Sequence, residues 1–160
     1  MAAFYFPKEE NLRILSDKEI FEIEVGISNI INLPNLPWSF QSDISDLVFY
    51  EDKGMNLDNG IMGYTKFTGN KILLNSRVVK DLVYKDNNGI PNNETSMGTI
   101  IHELTHRRQM QWLGGFAWLF LNIPGIDRLT IERWAKENEY AVSACLSELY
   151  DKIRVSKLTG

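Results

Sequence analysis

One cysteine, two histidines and five prolines in 160 residues leave several architectures without material. A lone Cys145 can form no internal disulfide, so nothing calls for an oxidising compartment, and its apolar helical setting reads as a small core residue. Positive charge is not in excess either. Seventeen Lys and Arg stand against 21 Asp and Glu, a net of -4, and the densest basic run is the pair Arg107-Arg108. Phosphate recognition needs a concentrated basic stripe, so nucleic acid is not an expected partner. No apolar run reaches the roughly 20 residues that span a bilayer. The most apolar stretch, Trp112–Ile126, is broken by three glycines, Asn122 and Pro124, and suits a buried connection or a flap rather than an anchor. Met1–Lys8 has no basic segment followed by a sustained apolar one, so a secretory leader is not expected and a cytoplasmic location is. Repeats and low-complexity segments are absent.

What remains is ordinary globular composition, 44% hydrophobic and 24% charged, and a length that suits one domain over 1–160. Ser16-Asp17-Lys18-Glu19 reads as a capping box, with Ile20, Ile23, Ile27, Ile30 and Ile31 recurring at helical spacing until Leu33-Pro34. Leu47–Tyr50 reads as a short buried strand. Ile61–Phe67 and Lys71–Asn75 read as an antiparallel pair around a turn at Thr68–Asn70. A short helix over Arg77–Tyr84 follows. Asn92 or Asn93 then caps a helix from about Glu94 to Trp112, which Gly114-Gly115 stops. A last helix runs from near Asp127 to about Val155, with Ile131, Trp134, Ala135, Val142, Cys145 and Leu149 along one side. Helices and a short, mostly antiparallel sheet predict an α+β fold.

The chemistry-bearing stretch is Ile100-Ile101-His102-Glu103-Leu104-Thr105-His106. On a helix, positions four apart share a face, so His102 and His106 can offer two imidazoles to one metal ion. Glu103 projects from the flank, where a carboxylate can reach the attacking water. Both histidines of the chain sit here; placed at random, two residues would fall at this spacing about once in eighty trials. Tetrahedral zinc with one open position asks for one further protein ligand. The final helix holds the only dense acidic cluster after the motif, and Glu132, Glu137 and Glu139 are its candidates. Helical spacing alone leaves these three open.

His102-Glu103-Leu104-Thr105-His106, with an acidic helix some thirty residues on, resembles the small gluzincin-type zinc metallopeptidases, stand-alone domains found among bacterial and phage proteins. The resemblance implies a zincin-like domain whose short sheet packs on the motif helix, with one zinc ion per chain and a peptide or protein substrate. The group's ligand helix often carries Glu-x-Glu-Ala. The matching Glu137-Asn138-Glu139-Tyr140-Ala141 points to Glu137 as third ligand, with Glu139 the alternative because Tyr140 stands where alanine is usual, and Glu132 the third choice on account of Ala135. There is no third histidine, which excludes the metzincin arrangement. The implied reaction is endopeptidase hydrolysis, with Glu103 as general base and Tyr140 a conceivable oxyanion donor. Two other functions fit the same residues. One is a zincin-fold module that holds a peptide with little turnover. The other is a metal-free helical interaction protein using Trp112–Ile126 as its surface.

Overall fold

The capping signal at Ser16 opens the first helix. In the computed structural model, which describes residues 6–33, 36–55, 62–65, 70–121 and 131–159, helix α1 spans Asp17–Ile30. Ser16 Oγ accepts from the Glu19 amide at 3.3 Å, and the Ser16 amide donates to Glu19 Oε1 at 2.7 Å. The two donors that the chain would otherwise strand at the helix start are thus satisfied reciprocally. Arg13, on strand β1 (Leu12–Ile14), forks onto both Glu19 oxygens at 2.9 Å and reaches Glu51 of β2 (Val48–Asp52) at 2.8 Å. The helix start is therefore pinned to two strands. Ile23, Ile27 and Ile30 are buried, whereas Ile31, just past the helix, is 48% exposed.

Strands β3 (Gly63–Thr65) and β4 (Lys71–Asn75) complete a four-stranded sheet of order β1-β2-β4-β3. The expected β3–β4 pairing is present and antiparallel, Tyr64 opposite Leu73; residue 61 and residues 66–69 of that expectation lie outside the described residues. β1 pairs antiparallel with β2, but β2 runs parallel to β4, so the sheet is mixed rather than simply antiparallel. The β1 strand has no counterpart in the sequence pattern, because three residues are too few to establish a period of two.

Helix α2 (Ser76–Leu82) starts directly off β4, where the Asn75 side chain accepts from the Arg77 amide at 2.9 Å. Helix α3 (Glu94–Leu121) begins when Met97 N reaches Asn93 O at 2.8 Å, making Asn93 the cap position. Its side chain is used elsewhere, accepting from Tyr150 Oη at 2.6 Å and donating to Leu82 O at 3.3 Å. The backbone breaks at Gly114 (φ 72°, ψ 158°), the expected stop, and then resumes as helix to Leu121. Trp112 and Leu113 are exposed; the Trp112–Ile126 stretch from 122 onward lies outside the described residues.

Helix α4 (Ile131–Thr159) is the last element; the expected start at Asp127 lies outside the described residues. Its buried seam is Ile131, Ala135, Asn138, Val142, Leu146 and Tyr150, steps of three and four. Cys145 and Leu149 were expected in that seam. They lie beside it, half-buried and 36% exposed respectively, in a shallow groove with Ile30 and Leu33 of the α1 end. The core joins Phe49, Ile72 and Leu74 of the sheet to Ile23, Ile27 and Ile30 of α1, to Met97, Ile100, Ile101 and Leu104 of α3, and to Val142 and Leu146 of α4. α3 thus has β3 against one flank and α4 against another. Among the described residues, no helix is long and apolar enough to cross a membrane. The α+β class expected from sequence is the class observed.

Candidate metal centre

α3 places His102 and His106 one turn apart, both buried, with ring centroids 4.8 Å apart and planes 83° to each other. Their Nε2 atoms are 3.1 Å apart and aim at the same space. Glu132, in the first turn of α4, closes the group. Its Oε1 is 2.9 Å from His102 Nε2 and its Oε2 3.3 Å from His106 Nε2. One ligand atom from each of the three residues lies within 4.8 Å of the others, so the group can hold a metal ion. Glu132 Oε2 is buried and receives no aligned hydrogen bond, which costs free energy unless a cation answers it.

The outer ring nitrogens are held as well. Gln109, buried and three residues beyond His106, donates through Nε2 to the Ile131 carbonyl at 3.0 Å. A carbonyl only accepts, so this bond fixes which way the amide faces and leaves Oε1 toward His106 Nδ1 at 2.8 Å. His106 Nδ1 therefore carries the proton, which makes Nε2 the ring nitrogen able to serve as a ligand. On His102, Nδ1 lies 3.2 Å from Glu139 Oε1, off the line of a good hydrogen bond but close enough for strong attraction. A carboxylate there favours the same tautomer. Outer partners of this kind orient metal-ligating histidines and raise their basicity.

Burial pulls the His102 pKa down, yet the close carboxylates of Glu132 and Glu139 and the charge of Glu103 more than reverse this and raise it to about 10. For Glu132, burial raises the pKa and the two histidines overcome it, leaving the carboxyl well below its ordinary range. Glu139 is lowered too, against burial, chiefly by His102. The pocket is thus arranged to hold positive charge between an anionic carboxylate and two nitrogens. Two imidazoles and one carboxylate are also the donor set of an open four-coordinate zinc site.

Glu137, the residue expected to complete the set, is not in the cluster. Its Oε2 accepts from Trp38 Nε1 at 2.7 Å and its Oε1 from Arg133 at 3.1 Å, on a partly exposed face. The reason is rotational. Five residues from Glu132 turn the helix by about 500°, so Glu137 points roughly 140° away, whereas seven residues return Glu139 to within about 20°. Glu132 and Glu139 therefore share the His102 face. Tyr140 is 65% exposed, with Lys136 Nζ 6.0 Å from its ring centroid, and is not in the ligand cluster.

Comparison of the chain with known protein families, with curated proteins and with solved structures finds no match.

Glu103 is buried on the flank of α3, and its Oε2 accepts from Thr65 Oγ1 of β3 at 2.5 Å. Gly63, two residues earlier, permits this approach, since a Cβ there would come within 3.2 Å of Glu103 Oε1. On the other side, Gly98 lets α4 lie against α3 one turn before His102. A Cβ at Gly98 would collide with Ser143 Oγ and come within 3.0 Å of the Glu139 carbonyl. Behind the histidines, the buried Asn138 amide donates to Thr105 Oγ1 at 2.9 Å and to Trp38 O at 3.0 Å, and accepts from Trp38 N at 3.0 Å. Trp38 stacks on Trp134 at 4.3 Å, and Gln41 N bonds to Leu104 O at 3.1 Å. A strap from the α1–β2 connection thus fastens α3 and α4 together. Gln109 was discoverable from sequence, being three residues from His106 on the same helix; Thr65 and Asn138 carry no local signal.

Proposed function

We propose that the chain is a zinc-dependent peptide hydrolase, with His102, His106 and Glu132 as ligands and Glu103 as general base. The zincin-like reading of the fold belongs to the same proposal. The observation that carries it is the convergence of both Nε2 atoms and the Glu132 carboxylate, with the carboxylate of Glu103 held beside them rather than among them. A purely structural zinc site closes all four positions with protein ligands and has no use for that extra carboxylate. Zinc held there would polarise a carbonyl and bring the pKa of water from about 16 to near 7.

The protein's own groups supply the rest. Glu103 accepts a proton from the attacking water and returns it to the leaving amine. Thr65 fixes the rotamer of Glu103 by donating to one oxygen, which leaves the other for the proton. Gln109 and Glu139 keep the Nδ1 protons in place, so that the Nε2 atoms stay available as ligands. Among the described residues β3 is the last strand of the sheet on the side of Glu103.

Replacing Glu103 by glutamine tests the assignment. Glutamine keeps the shape and leaves the three ligands intact but cannot take the proton. The expected outcome is full metal content with hydrolysis of a cleavable peptide from a mixed library reduced about 10² to 10⁴-fold. Equal cleavage by Glu103→Gln and the parent chain would contradict the mechanism. A chain that binds metal and cleaves nothing in the library would favour a peptide-holding module.

A further inference from the structure

Away from the metal centre, α1, the ends of β1 and β2 and the 42–45 loop enclose a groove of about 670 Å³, a size that holds several side chains. Its floor is core, with Leu15, Ile27, Leu47 and Phe49 buried beneath it. Its walls are not. Ile14 is 62% exposed, Ile31 48% and Val48 39%, and all three line the same groove. Isolated exposed apolar side chains need no explanation, but three around one concavity form a contact surface.

The polar part of the lining is one-sided. Asp17, Glu24 and Asp43 are its charged members, and no lysine, arginine or histidine joins them among the described residues. No cation pairs with any of the three among the described residues; Asp43 bonds only within its own turn, to Ser45. Those bonds hold the Asp43 carboxyl below its ordinary range, so it is ionised at neutral pH. Two cations on the adjoining strands have partners elsewhere. Arg13 is bonded to Glu19 and Glu51, and Lys71 Nζ lies 5.6 Å from the Tyr50 ring centroid.

We propose that this groove is a docking site for a cationic peptide segment, one carrying two or three apolar side chains flanked by lysine or arginine. Charge selects that occupant. A second copy of the chain, meeting the groove symmetrically, would set the same three carboxylates against each other, on a protein already carrying a net charge of -4. Nucleic acid and anionic membrane surfaces are repelled for the same reason. A basic segment gains on both counts, its apolar side chains filling the cavity and its cations meeting the acidic rim. The site does not depend on the metal reading, since none of its lining residues is a proposed ligand or base.

Panning a random dodecapeptide library on the whole immobilised chain tests this. The expected pool is enriched in Lys or Arg interleaved with Leu, Ile, Val or Phe. Its strongest synthetic member should bind the parent chain at least tenfold more tightly than the near-isosteric triple variant Asp17→Asn, Glu24→Gln, Asp43→Asn, in which the Asp43→Asn oxygen can still accept from Ser45. Ile31→Ser, at a surface position, should weaken binding comparably, and circular dichroism of both variants should match the parent. The proposal is overturned if no pool enriches, if the enriched peptides lack basic residues, or if the triple variant binds them as tightly as the parent. Concentration-dependent dimerisation abolished by Ile31→Ser, seen in sedimentation velocity, would also overturn it in favour of a second copy.

Discussion

Glu132 and Glu137 are five residues apart on one helix and face different worlds. The first is half-buried against two imidazoles; the second bonds Trp38 and Arg133 on a more exposed face. Removing a ligand should cost far more metal affinity than removing a surface carboxylate. Glu132→Ala is expected to weaken zinc binding more than tenfold in a chelator-competition titration, and Glu137→Ala to leave it within a few-fold. The reverse ranking would return the ligand to the Glu-x-Glu position. The pairing of His102 with His106 was legible in the sequence, whereas Glu132 was only one of three candidates and ranked last. The spacing of the histidines is a local property of one helix. The choice among three glutamates depends on which face α4 turns to α3, and that is set by its seam of Ile131, Ala135, Asn138 and Val142, which near-period spacing leaves ambiguous.

At the scale of elements, the centre rests on the close crossing of α3 and α4, and Gly98 is where that crossing is tightest. Gly98→Val should push α4 outward, moving Glu139 and then Glu132 from the histidines. The expected cost is about 1–3 kcal/mol in denaturant unfolding, as for overpacking elsewhere, together with weaker metal binding. Unchanged stability and unchanged affinity would mean that the helices do not approach as described. The start of α1 makes a pH-dependent prediction. Arg13 hydrogen-bonds Glu19 and, against the opposing effect of burial, holds its carboxyl below the ordinary value, with help from Ser16. A depressed folded-state pKa contributes stability that is present above the unfolded value near 4.5 and lost as pH falls through the lower folded one. Unfolding midpoints should therefore decline with acid below about pH 4.5, and Glu19→Gln should flatten part of that decline. An identical acid profile for Glu19→Gln would contradict the role given to the Arg13 pair. The capping box itself was readable from four consecutive residues. The parallel pairing of β2 with β4 was not, because partner choice between strands is decided by the whole core and not by either strand's own pattern.

The described residues form an α+β assembly in which a mixed sheet, a motif helix and a long final helix bring together three side chains that could hold a metal ion. Stability and metal binding are expected to be coupled, since a bound cation would answer the buried Glu132 Oε2, which otherwise lacks an aligned hydrogen bond. The central claim is that the chain holds zinc through His102, His106 and Glu132. Native mass spectrometry with elemental analysis, on protein purified without added metal, tests it most directly. One zinc per chain is expected, with steep loss of occupancy in His106→Ala and in Glu132→Ala and the fold retained by circular dichroism. A metal-free parent chain that takes up no zinc on addition, or undiminished zinc in His106→Ala, would contradict it.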